Sequence, residues 1–123
     1  MKLYSVNEIL CHKESLHGRY VSVEGLFYFE TERIVLAHWP KRDQAGQEIW
    51  VGTGTGSYQY NIDVLKKLSG KRVVCSGEFQ SLINEETIEF YRGFGHLGMW
   101  PAQFVPVDLV YYQMWYNADG RGL

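Results

Sequence analysis

The spacing of hydrophobic and polar residues changes period several times along the chain, and each change marks an element. Residues 20–30 alternate, with Val21, Val23, Phe27 and Phe29 on one face and Ser22, Glu24, Leu26 and Tyr28 on the other, which predicts a strand with one buried side. A short polar turn leads into 33–39, where Ile34 and Leu36 alternate with Val35 and Ala37 before Pro40 stops the run. The charged stretch 41–47 reads as a loop, and a short strand at 48–51 completes a three-stranded meander. Helical spacing governs two other stretches. Ser5 and Glu8 fit the S-x-x-E capping box and open a helix over residues 6–16, whose apolar face is Val6, Ile9, Leu10 and Leu16. Val64, Leu65 and Leu68 carry a second helix that stops at Gly70. A strand follows over 71–80, then an irregular stretch to Pro101 with a short strand at 87–91, and a last strand at 102–112. In that strand Val105, Val107, Leu109 and Tyr111 fall on one face, and Pro106, lacking an N–H, requires an open side.

Two of these strands carry the same phrase. Residues 16–27 (LHGRYVSVEGLF) and 68–79 (LSGKRVVCSGEF) both read L-x-G-[RK]-x-V-x-[VC]-x-G-x-F at a constant offset of 52 residues. Each copy is a helix end, a Gly stop and a one-faced strand, and the second Gly of each, Gly25 and Gly77, sits where a side chain is expected. Glycine inside a strand marks a bend, a bulge or a close approach of another backbone. The order helix, strand, strand, strand, helix, strand, strand, with the phrase on the first and fourth strands, resembles the OB-fold. That resemblance covers residues 16–112 and implies a mainly β protein with two helices. It is a five-stranded, partly open Greek-key barrel, with one helix at the N-terminus and one between strands three and four.

Length and composition fit a single domain over residues 1–116 followed by a flexible polar tail, 117–123. With 46% hydrophobic and 21% charged residues the chain can build a full core. The net charge of −2 lacks the basic surplus usual in a domain that grips duplex phosphates. Cys11 and Cys75 form no C-x-x-C, the N-terminus turns polar too early for a signal peptide, and no apolar run approaches a membrane span. These features predict a cytoplasmic protein with reduced thiols and no membrane segment.

Candidate chemistry is sparse. The glycines at 52, 54 and 56 follow a strand and precede a helix, but Ser57 stands where G-x-G-x-x-G needs its third Gly, and no G-K-[ST] follows. His12, His17, His38 and His96 make no metal-ligand spacing with one another or with cysteine. No metal and no cofactor is expected, and Cys75 reads as a buried, inert thiol. Residues 93–101 (GFGHLGMWP) combine three glycines with Phe94, Met99 and Trp100 in a loop between the last two strands. Either the rings fold back as a plug on an open barrel end, with His96 on a loop carbonyl, or His96 and Trp100 touch a ligand. Trp39 and Trp50 occupy neighbouring strands on the meander's outer face, with Arg33, Lys41 and Arg42 nearby. The aromatic stretch 111–116 either packs on the barrel, for example on the first helix, or forms an interface.

These features favour a non-enzymatic binding module. Its ligand is another protein, or a second copy of the chain, reached through Trp39, Trp50, Phe94, His96 and Trp100, since aromatic side chains are enriched at protein interfaces. The alternative is single-stranded nucleic acid, with bases stacked on the tryptophans and phosphates on Arg33, Lys41 and Arg42. A small-molecule enzyme using His96 is the third reading, and it lacks a nucleophile or acid within the motif.

Overall fold

The two copies of the repeated phrase lie side by side as antiparallel strands. In the computed structural model, which describes residues 2–40, 48–53, 61–82 and 93–118, β2 (Tyr20–Glu30) pairs with β5 (Arg72–Ser81), and Val23 stands opposite Cys75. Those two residues are equivalent positions of the two copies, so the ladder has an approximate two-fold axis between them. Backbone hydrogen bonds obey it. Gly18 N–H donates to Phe79 O (2.7 Å) and Phe79 N–H to Arg19 O (3.0 Å), while Gly70 N–H donates to Phe27 O (2.6 Å) and Phe27 N–H to Lys71 O (3.0 Å). The glycine that ends the helix of each copy therefore caps the phenylalanine that ends the strand of the other.

Around this pair the chain closes a five-stranded barrel. Its remaining strands are β3 (Arg33–Ala37), β4 (Ile49–Val51) and β6 (Ala102–Tyr111), and the ring runs β2-β3-β4-β6-β5 and back to β2. The meander β2-β3-β4 is antiparallel, β5 and β6 are antiparallel, and the closing pair β4–β6 is parallel. That closure is narrow: Trp50 faces Gln103, Val51 faces Phe104, and Gly52 N–H donates to Phe104 O (2.9 Å). The barrel is thus closed where a partly open one was expected. A sixth strand, β1 (Leu3–Ser5), was not legible in the sequence; it pairs in parallel with Ser22–Glu24 on the side of β2 that β3 takes up from Leu26 onward.

Gly25 and Gly77 are both places where another backbone comes close. A Cβ on Gly25 would stand 2.5 Å from Ala37 O and 3.1 Å from Val6 Cγ2. At Gly77 a Cβ would collide with Val105 O and lie 2.9 Å from Pro106 Cα. Between Ser76 and Gly77 the register shifts, Ser76 facing Asp108 and Gly77 facing Pro106, which makes Val107 the extra residue of a bulge. The bulge corrects the expected face of the last strand. Ala102, Phe104 and Leu109 are buried in the core, whereas Val107 and Tyr111 are exposed. Pro106 lies beyond the two pairs that β4 makes, so its missing N–H costs no ladder bond on that side.

Among the described residues the α-helices number four, two more than the sequence suggests. The capping box forms as read: Glu8 N–H donates to Ser5 Oγ (3.1 Å) and Ser5 N–H to Glu8 Oε1 (3.0 Å). The helix it opens breaks at His12 into α1 (Val6–Cys11) and α2 (Lys13–Leu16). Between Leu10 and Leu16 no apolar side chain ties the turn to the barrel, so the core does not hold it straight. Next, α3 (Ile62–Leu68), capped by Asn61 on Asp63 N–H (2.8 Å), leads to Gly70 at φ 81°. Finally α4 (Tyr112–Ala118) takes up the aromatic stretch and packs on β5 and β6, not on the first helix. Val6, Ile9 and Leu16 from α1 and α2, and Leu65 and Leu68 from α3, join Val23, Phe27, Leu36, Phe79 and Phe104 in one core. Among the described residues no helix is long and apolar enough to cross a membrane. The short strand expected at 87–91, and most of the glycine run after Gly52, lie outside the described residues.

Candidate functional site

Val35 on β3 faces Trp50 on β4, and both side chains point away from the core, because Leu36, Ile49 and Val51 take the inward positions. The outer face of the meander is therefore built on Trp50, and residues 93–100 lie across it. That loop holds itself together. Phe94 and Trp100 exchange both backbone hydrogen bonds (2.8 and 3.0 Å), Gly93 N–H donates to Gly98 O (2.9 Å), and a single 3₁₀ turn, His96–Gly98, forms the tip. Gly95, at φ 74°, touches the Trp50 ring so closely that a Cβ would overlap it. Trp100 lies against Trp50 with centroids 4.9 Å apart and planes tilted by 50°. The rings therefore cover the outside of β4, not an open barrel end.

Charged groups fasten the edge of this arrangement. Arg33 binds Glu48 side-on, Nε donating to Oε1 at 3.2 Å and Nη2 to Oε2, while Nη1 pairs with Glu30. Its guanidinium lies 5.0 Å from the Tyr28 ring centroid. The hydrogen bonds that Arg33 donates to Glu48 push the Arg33 pKa up, against the lowering effect of partial burial, and Glu30 adds to the rise. Trp100 Nε1–H reaches Glu48 Oε1 at 3.4 Å, so the loop and the β3–β4 face share one carboxylate. At the tip His96 Nε2 stands 3.4 Å from Glu32 Oε2 in the turn between β2 and β3.

Five of the sequence-derived site residues, Arg33, Trp50, Phe94, His96 and Trp100, thus come together, but mostly to hold one another. Trp39 is not with them. It has Arg72 over its ring at 4.9 Å, and the same guanidinium lies 3.5 Å from the Tyr112 centroid and donates to Glu24 Oε2 (2.8 Å). Lys41 and Arg42 lie outside the described residues. What the sequence reading missed is the outward side of the loop. Leu97 and Met99 are 45% and 44% exposed, and Leu97 has φ 56°, a left-handed conformation that a branched side chain rarely takes. Glu32, at φ 63°, is the second non-glycine residue in that region among those described, and it touches the same loop through His96.

The histidines do not form a reactive group. His17 Nδ1 accepts from Ser81 N–H (3.0 Å), tying the end of α2 to β5, and His38 Nδ1 accepts from Asn7 N–H (3.3 Å), tying the end of β3 to α1. Among the described residues no three of His, Cys, Asp and Glu gather as metal ligands would. Cys75 is fully buried, and burial first, with the charge of Asp108 second, pushes its thiol pKa up, so it stays protonated.

No family model matches the chain, and no curated relative does. Among solved structures it is similar to an OBody bound to hen egg-white lysozyme, with 16% identity over 80% of this chain and 83% of that one and a TM-score of 0.48. It is also similar to a second OBody bound to lysozyme, at 11% identity over 80% and 85% of the two chains and a TM-score of 0.43.

Proposed function

We propose that this protein is an OB-fold binding module that recognises another protein through the loop at residues 93–100. The ring order β2-β3-β4-β6-β5, with its parallel closure and a helix between β4 and β5, supports the OB reading. So does the meeting of the β2–β3 turn with the β5–β6 connection, because those two loops flank the ligand face of that fold. The observation that carries the proposal is the division of labour within the loop. Gly95 and Trp100 hold it on Trp50, while Leu97 and Met99 face solvent on a backbone that stores about 1–2 kcal/mol of strain at Leu97. A fixed loop that displays apolar side chains spends little entropy on docking, the advantage of a preorganised binding loop. Trp50 and Trp100 then act as the buttress of the contact, with His96 at its rim.

Charge argues against nucleic acid on this face. Arg33 is already neutralised by Glu48 and Glu30, and Glu32 adds a further negative group beside His96. Quantitative affinity capture from lysate of the source cells tests the proposal, with wild type, a Leu97→Asn/Met99→Ser double variant and a Val64→Ser control as baits. Val64 is equally exposed but lies on α3. A protein retained by wild type and the control and lost by the double variant supports it. Identical capture by all three baits overturns it, as does salt-sensitive quenching of tryptophan by single-stranded oligonucleotides that the double variant removes.

A further inference from the structure

The opposite side of the barrel carries a different kind of site. Where α4 crosses the outer face of β2, β5 and β6 it leaves a pocket of about 320 Å³, within the range of small-ligand sites. Its floor is polar: Ser22 Oγ and Ser76 Oγ lie 2.7 Å apart and bond to each other. Its walls are Val110, Met114 and Trp115, with Tyr20 at the mouth, 55% exposed. One lining residue is charged, Asp108, placed beside the pocket by the Val107 bulge. Among the described residues no cation pairs with Asp108. Arg72, on β5 of this face, is held by Glu24 and by the rings of Trp39 and Tyr112.

We infer that this pocket binds a small organic monocation, an alkylammonium with an apolar body. Asp108, a carboxylate with no cation partner among the described residues, complements a ligand charge of plus one, and indole and phenol rings attract a cation over their faces. At the roughly 30 Å³ that one water occupies in the liquid, the volume equals about ten waters, room enough for a small aromatic amine. Phenethylammonium therefore fits, with its ammonium on Asp108 and its ring among Met114, Val110 and Trp115. The site is separate from the loop at residues 93–100, and the inference does not depend on that loop's role.

The test is a charge series on one body. Phenethylammonium, 2-phenylethanol and phenylacetate are titrated into the full chain and followed by NMR at the Met114 methyl and the Trp115 indole N–H. The ammonium is expected to bind about tenfold or more tighter than the alcohol, with phenylacetate not binding, and Asp108→Asn is expected to bring ammonium and alcohol level. Asp108 is solvent-exposed, so this variant keeps the fold; Ala118→Leu, which narrows the pocket, should weaken both ligands alike. Equal affinity for the three compounds, shifts confined to other residues, or unchanged ammonium binding by Asp108→Asn would overturn the inference.

Discussion

The same device is used on two outer faces of the barrel, with different covers. On the β3–β4 face, Arg33 lies over Tyr28 and pairs with Glu48 and Glu30; on the β2–β5 face, Arg72 lies over Trp39 and Tyr112 and pairs with Glu24. Both arginines are about one-third exposed. Over Arg72 the cover is α4, whose Tyr112 ring lies against those of Trp115 and Tyr116, at 6.3 and 5.8 Å, and whose residues all have ordinary helical backbone. Over the Arg33 face the cover is a short loop with three residues at positive φ, one of them a leucine. A helix brings its own hydrogen bonds and can stand off from the sheet, so it encloses a pocket. A loop has to be pulled down onto the sheet, and its remaining side chains are turned outward. The difference in cover separates a face that encloses a pocket from one that displays apolar side chains outward.

Four substitutions would break or sharpen that contrast. The largest effect is expected from Gly77→Val, which drives a side chain into the Val105 carbonyl and removes the frame that both faces share. Loss of more than about 3 kcal/mol, seen as loss of a cooperative thermal transition, is the expected outcome; a wild-type melt would mean the strands do not approach as described. Arg72→Ala comes next, because it strips Trp39 and Tyr112 of their cation and leaves Glu24, only 18% exposed, without its partner. A cost of about 2–3 kcal/mol, or roughly 10 °C in Tm, is expected, and a smaller loss than that of Arg33→Ala would reverse the ranking of the two faces. Gly95→Ala should cost about 1–2 kcal/mol and be local, lifting the loop from Trp50 and changing tryptophan emission while the far-ultraviolet circular dichroism stays unchanged. The smallest effect has the opposite sign. Leu97→Asn relieves the left-handed strain at an exposed position and should raise stability by up to about 1 kcal/mol. A fall in Tm would show that Leu97 packs against the protein and is not held out for a partner.

The barrel was legible because its signals are local and repeated. The doubled phrase states a helix stop and a bent strand twice, and the capping box at Ser5 and Glu8 needs only four consecutive residues. What stayed hidden depends on contacts between distant segments. The three residues of β1 become a strand only because Ser22–Glu24 offers an edge. The bulge at Val107 exists because Gly77 admits the β6 backbone, and it turns an apparently simple alternation out of phase. The spacing of Tyr112, Trp115 and Tyr116 is helical and could have been read as such, but the preceding strand pattern runs straight into it. For the site, residue types were visible and their use was not. Val35 faces Trp50 across the meander, yet Trp39, four positions further along and past the end of β3, belongs to the other arginine cluster.

The narrow β4–β6 seam has a kinetic consequence. The turn between β2 and β3 needs only two residues, whereas the seam joins Trp50 to Gln103 and the β2–β5 ladder joins Val23 to Cys75, more than fifty residues away in each case. Pairings that distant close large loops before they are rewarded, so the chain belongs among domains that fold in milliseconds to seconds. With two residue pairs and one flanking hydrogen bond, the seam is also, together with the equally short β3–β4 pairing, where the folded ring comes undone most cheaply. The amide of Gly52 should exchange with solvent well ahead of those along β5, through a brief parting of the barrel that leaves its symmetric half zipped.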